Sequence, residues 1–180
     1  MLLVVDNGSI YTKQLTDFLN QKKIIFEKFS PENLNLNSLN KYESIILSGR
    51  RKNNKKINEV NSKIINFSIN HNKKLLGICY GAEILALTLG GTIKKTTSIQ
   101  KGDEIIEILQ NDLISKKSIN VFESHAFEIS KLPNMLVVAG KSKNCKYEII
   151  QHKKKPIFGT QFHPEMSIDG NNLIENFCSL

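Results

Sequence analysis

The stretch Gly77-Ile78-Cys79-Tyr80-Gly81 sets one cysteine between two glycines, where an apolar run, KLLGIC (74–79), meets a helical pattern, AEILALTLG (82–90). A thiol that only packs needs no flanking glycines. A nucleophile held on a sharp strand-to-helix turn does, because glycine allows the backbone to bend and relieves crowding around the bend. Such a turn projects the Cys79 thiol from the carboxyl end of a sheet strand and faces it toward the start of a helix, whose partial positive charge favours thiolate. The backbone amide of Tyr80 then points toward a developing oxyanion.

A cysteine nucleophile needs a base, and the base needs a group to orient it. The chain has four histidines. His71 falls at a helix end beside Asn72 and Lys73, and His152 adjoins Lys153–Lys155, so both read as surface residues. His163 differs. It follows the apolar run FGTQF (158–162), at the strand end where a doubly wound sheet places its site, and Pro164 and Glu165 come directly after it. Proline stiffens the segment, and Glu165 is close enough to hold the imidazole in one orientation.

These residues need a scaffold that gathers distant strand ends. LLVVD (2–6), IIFEKF (24–29), SIILSG (44–49) and KLLGIC (74–79) read as buried strands, alternating with helical patterns after Ile10, over 57–69 and over 82–90. The alternation predicts an α/β fold: a doubly wound, mostly parallel, flavodoxin-like sheet with helices on both faces. Beyond residue 91 the pattern changes to short strands at 92–95, 103–109, 118–122, 135–140 and 147–151, added antiparallel strands before a closing helix over 168–177. No repeat or linker divides residues 1–180, which read as a single domain.

Of 180 residues, 40% are hydrophobic, enough for a sizeable core. No apolar run approaches a membrane span or the core of a signal peptide. The three cysteines, Cys79, Cys145 and Cys178, form no disulfide pattern and fit a reducing, cytoplasmic setting; Cys145 and Cys178 read as packing residues. No cysteine or histidine pair has metal-ligand spacing, and no cofactor motif is present. The net charge of +8 is carried mostly by dispersed lysines, with runs at RRKNNKK (50–56) and 153–155 that suit an anion or an acidic partner. Without interleaved aromatics these runs do not suggest nucleic-acid binding.

GICYGAE (77–83), followed roughly 80 residues later by GTQFHPE (159–165), resembles the class I glutamine amidotransferase family. VVDNGSIYT (4–12) and SHAFEISKLPN (124–134) are similar to the group of glutaminase subunits that serve GMP synthetases. The resemblance spans essentially the whole chain. It implies a Cys79-His163-Glu165 triad that removes the side-chain amide of glutamine through a γ-glutamyl thioester. It also implies a separate ATP-dependent synthetase as the acceptor of the ammonia, and this chain has no phosphate-binding loop of its own for ATP.

Three departures from the family pattern matter. Members usually read Ser-Gly-Gly-Pro where this chain has Ser48-Gly49-Arg50-Arg51, so Arg50 occupies the place of a glycine whose amide serves the oxyanion hole, and a positive φ there would strain an arginine. Glu83 stands where a glutamine usually helps hold the substrate; it reads as a substrate-binding residue or as a partly exposed helix position. Phe127 replaces an aspartate in the segment whose His125 the resemblance ties to partner coupling. Arg50 and Arg51 are the only arginines, and their planar forks suit a carboxylate, whether that of Glu83, of the substrate or of a partner. Glu83 and the altered loop also fit a free-standing hydrolase of γ-glutamyl amides. A non-catalytic subunit that kept the fold is a third reading, which the intact triad residues oppose.

Overall fold

Along Leu2–Val5 (β1), alternate residues belong to two different cores: Leu2 and Val4 pack into one, Leu3 and Val5 into the other. Period-two alternation with both faces apolar is what a sheet covered on both sides requires. In the computed structural model, which describes residues 1–110 and 112–180, the first core lies beneath helices α1 (Thr12–Gln21) and α4 (Ile168–Ser179), through Leu15, Phe18, Leu19, Leu173, Ile174 and Phe177. The second lies beneath α2 (Lys55–Asn70) and α3 (Tyr80–Thr88), through Ile64, Ile65, Ile84 and Leu85.

The remaining strands are β2 (Phe26–Phe29), β3 (Ser44–Leu47), β4 (Lys74–Ile78), β5 (Thr92–Ile108), β6 (Ser118–Lys131), β7 (Leu136–Lys141), β8 (Ile149–His152) and β9 (Ile157–Thr160). They form one sheet in the order β2-β1-β3-β4-β9-β8-β7-β5-β6. The first five are parallel and the rest pair antiparallel. This is the doubly wound α/β architecture expected from the strand–helix alternation. The chain leaves β1 toward β2 on one side and takes up β3 on the other, which opens a crevice at the carboxyl ends of these strands.

The antiparallel part differs in detail from the sequence pattern. Two expected short strands, 92–95 and 103–109, are parts of the single strand β5, interrupted by an irregularity in its pairing with β6 between Lys95 and Gln100. Strand β6 runs on through Lys131, well beyond residue 122. Most of β5 is solvent-exposed, so apolar spacing carries little signal there.

Candidate active site

Cys79 lies between β4 and α3 with φ 50° and ψ −104°, one of three non-glycine residues at positive φ among those described. An L-residue in this region is strained by about 1–3 kcal/mol. The turn is fixed by the Cys79 amide, which donates to the Thr160 carbonyl on β9 (2.7 Å), and by the Cys79 carbonyl, which accepts from the amides of Ala82 and Glu83 (both 3.0 Å). The strain therefore falls on the cysteine, and the glycines serve close approach. A Cβ on Gly77 would lie 2.4 Å from the Gly81 carbonyl oxygen, and one on Gly81 would lie 2.4 Å from that of Leu47.

The Cys79 thiol is buried, and its pKa is pushed well above the ordinary thiol value. Burial is the main cause, followed by the charges of Glu83, Glu165 and Glu123. The Tyr80 amide at the start of α3 acts in the opposite direction, as expected of a helix end, but is outweighed. The resting group is a thiol, contrary to the expectation of a thiolate favoured by the helix.

His163 and Glu165 follow β9 and come together. His163 Nδ1 donates to Glu165 Oε1 at 2.9 Å, with both side chains almost wholly buried. The His163 amide donates to the Phe122 carbonyl on β6, and Pro164 opens a short 3-10 turn (Pro164–Met166) that brings Glu165 back toward the ring. Tyr11 packs edge-on against the imidazole with ring centres 4.5 Å apart, and its hydroxyl donates to Ser124 Oγ (3.2 Å). With Nδ1 committed to Glu165, Nε2 is the nitrogen left for chemistry. Gly49, at the end of β3, gives the ring its space, since a Cβ there would sit 2.9 Å from His163 Cε1.

Cys79 opens onto a cavity of about 210 Å³ shared with Arg50, Tyr80, Glu83, His125 and Phe127. A neighbouring cavity of about 200 Å³ is lined by Ser9, Tyr11, Ser124 and His163; Arg50 and Arg51 border both. No hydrogen bond joins Cys79 to His163 among the described residues. Catalytic pairs are often open before substrate binds.

Arg50 avoids the positive φ that would strain an arginine. Its guanidinium stacks on the Tyr80 ring, 3.8 Å from the centroid, and donates to Asn58 Oδ1 (2.6 Å), which also accepts from the Tyr80 hydroxyl (2.8 Å). The loop is therefore pinned to α2 and α3, and Arg50 forms no ion pair with Glu83 among the described residues. Glu83 is buried, not partly exposed. Its Oε1 accepts from Gln161 Nε2 (3.3 Å), and burial raises its pKa. His125 is also buried, so it has no surface to present directly to a partner; Arg51 is exposed. His71 is exposed as expected and stacks on Phe67, but His152 is buried, with Nδ1 accepting from the amides of Lys154 and Lys155.

Several residues that build the site were not singled out from sequence. Asn7, Ser48 and Asn61 tie the loop after β1 to the loop after β3 and to α2: the Asn7 amide donates to Ser48 Oγ (2.9 Å), and Asn61 Nδ2 donates to Asn7 Oδ1 (2.7 Å). A buried asparagine inside the apolar stripe of α2 was the available signal. Tyr11, Asn58 and Gln161 had none beyond their place next to motifs.

The chain belongs to the class I glutamine amidotransferase family, whose model matches residues 3–179. Among curated proteins it is similar to one subunit of the glutamine-hydrolyzing GMP synthase of Methanocaldococcus jannaschii, 30% identical over 100% of this chain and 97% of that one. It is also similar to the glutamine-hydrolyzing GMP synthase of Thermosipho melanesiensis, 31% identical over 99% of this chain but only 35% of that protein. The crystal structure of a Thermoplasma acidophilum protein described as a GMP synthase subunit superposes with a TM-score of 0.88, at 27% identity over 99% of this chain and 92% of that one.

Proposed function

We propose that this amidotransferase is the glutaminase subunit of a two-chain GMP synthetase, with Cys79, His163 and Glu165 as its triad. The observation that carries the triad is the buried His163–Glu165 pair at the same sheet end as a cysteine held at φ 50°. Cys79 Sγ attacks the side-chain amide carbon of glutamine as its proton passes to His163 Nε2. Glu165, accepting from Nδ1–H, stabilises the imidazolium. His163 then protonates the departing nitrogen, and ammonia leaves a γ-glutamyl thioester on Cys79. Water, giving a proton to His163, attacks the thioester and releases glutamate. The amide of Tyr80 and one from the Gly49–Arg50 loop are the donors proposed for the oxyanion, and Glu83 faces the substrate.

The near end-to-end match to a separate subunit in one organism, beside a match to about a third of a longer GMP synthase in another, supports a separate ATP-dependent synthetase as the partner. A cytoplasmic location fits three free cysteines and the lack, among the described residues, of any helix long and apolar enough to cross a membrane. The test is ammonia release from glutamine by the purified chain, by itself and with the ATP-dependent chain of a GMP synthetase. Release that requires Cys79 and is raised by the partner is expected; no release under either condition overturns the reading.

A further inference from the structure

At the wall of the Cys79 cavity, which His125 itself lines, three ionisable side chains are buried together: Glu123 and His125 on β6, and Glu148 just before β8, with relative exposures of 4%, 5% and 1%. Their contacts constrain where protons can be. His125 Nδ1 lies 2.8 Å from the Phe127 carbonyl oxygen, which can only accept, so Nδ1 carries a hydrogen. His125 Nε2 is 3.0 Å from Glu123 Oε2, the separation of an ion pair, though the angle falls short of a hydrogen bond. Glu148 Oε1 accepts from Ser142 Oγ (2.7 Å), and its carboxyl group also lies within reach of Glu123.

Taken as two carboxylates and a neutral imidazole, the group leaves Glu148 Oε2, both Glu123 oxygens and His125 Nε2 buried without hydrogen-bond partners among the described residues. Among the described residues, lone pairs would then face lone pairs, an arrangement native interiors avoid. Two protons remove the conflict, one shared between Glu148 and Glu123 and one on His125 Nε2.

We propose that Glu148, Glu123 and His125 form a buried proton-holding array that keeps His125 as an imidazolium, balancing the Glu83 carboxylate at the Cys79 cavity and pinning the Ala126–Phe127 wall. Burial and the neighbouring Glu123 both push Glu148 toward its protonated form. Burial alone would discharge His125, but pairing with Glu123 outweighs it and raises its pKa. His125 faces Glu123 on its own strand and Glu83 on α3; Glu83 in turn faces Gln161, Arg50 and His163, and Glu148 faces Ser142 and Glu104. Both imidazole nitrogens are engaged inside the protein, so His125 acts on the substrate through charge and through the wall it holds. It is a positioning residue that lets a cavity with a buried carboxylate accept an amino acid bearing another.

The substrate part of this inference rests on the amidotransferase reading; the charge on His125 does not, and it is tested without turnover. In ¹⁵N NMR of the whole chain, His125 should remain doubly protonated above the ordinary imidazole value of about 6.5, where a free histidine has lost its proton. A neutral tautomer there overturns the proposal. In steady-state assays at about pH 8 with the partner present, Glu123→Gln should raise the KM for glutamine about tenfold, the equivalent of one pKa unit, while kcat changes less than about twofold. Adding Glu83→Gln should recover most of that loss, which a merely structural role for Glu123 would not produce. Glu148→Gln, whose amide donates as a protonated acid would, should keep the wild-type pH profile. An unchanged KM in Glu123→Gln, or no recovery with Glu83→Gln, overturns the role in substrate binding.

Discussion

Cys79 combines backbone strain with a thiol held neutral, and both have measurable consequences. Because burial and the carboxylates of Glu83, Glu165 and Glu123 raise its pKa, the thiolate fraction at neutral pH is small and grows as pH rises. The rate of Cys79 modification by a small neutral electrophile should therefore still be climbing at about pH 9, past the ordinary thiol value of about 8.5. Glu83→Gln removes the negative charge that acts most strongly on the thiol and should speed the reaction at any given pH; a rate already level at pH 7 would contradict this assignment of charges. The strain predicts that Cys79→Gly, though inactive, is more stable than Cys79→Ala by about 1–3 kcal/mol in urea unfolding, since glycine accepts φ 50° without a Cβ clash. Equal midpoints would mean that the turn stores no strain. For the base and its orienter, His163→Ala should abolish turnover, whereas Glu165→Ala, which leaves the base in place, should retain a measurable residue of it. Wild-type kcat in His163→Ala would end the triad assignment. The residues of the proposed triad could be picked out because they sit in two short motifs, GICYGAE and GTQFHPE. The Glu123–His125–Glu148 group was not, because Glu148 reaches its partners only through the antiparallel strands β7 and β8, and nothing in its local sequence marks it.

The elbow works because three elements meet with no room to spare. Gly81 at the start of α3 rests on the Leu47 carbonyl of β3, and Gly77 of β4 rests on the Gly81 carbonyl. Gly81→Ala should force α3 away from β3 and cost about 1–3 kcal/mol by overpacking, read as a lower denaturation midpoint together with loss of activity. A variant of wild-type stability and rate would show that this approach is not needed. The parallel half of the sheet was legible because β1, β3 and β4 are apolar on both faces and end at glycine or at a turn. The antiparallel half was less so: Lys94, Lys95, Thr97 and Lys101 in β5 answer to solvent and leave no period to read, and the pairing irregularity makes one strand resemble two. The SGRR loop shows a different limit. Arginine in a glycine's place suggested strain, but the loop avoids positive φ and uses the guanidinium to clamp Tyr80 and Asn58. That contact depends on α2, which sequence alone does not position against the loop.

At the scale of the whole molecule, the site lies at one end of the parallel strands, beside an exposed basic segment made of Arg51 and Lys52 in the loop and Lys55 and Lys56 at the start of α2. An acidic surface on a synthetase chain would complement it, and the association should weaken with salt. With Cys79 not yet hydrogen-bonded to His163, the isolated chain is expected to release ammonia slowly and to accelerate when the partner docks. The central claim is that Cys79 alone is the activated nucleophile, distinguished from the buried Cys145 and partly buried Cys178 by its place on the elbow. The most direct measurement is to treat the whole chain with a glutamine-mimicking electrophile, locate the adduct by peptide mass mapping, and repeat with Cys79→Ala. The account predicts one adduct per chain, on Cys79, protected by glutamine and absent from the variant together with all ammonia release. Labelling spread equally over the three cysteines, or ammonia release that survives Cys79→Ala, would contradict it.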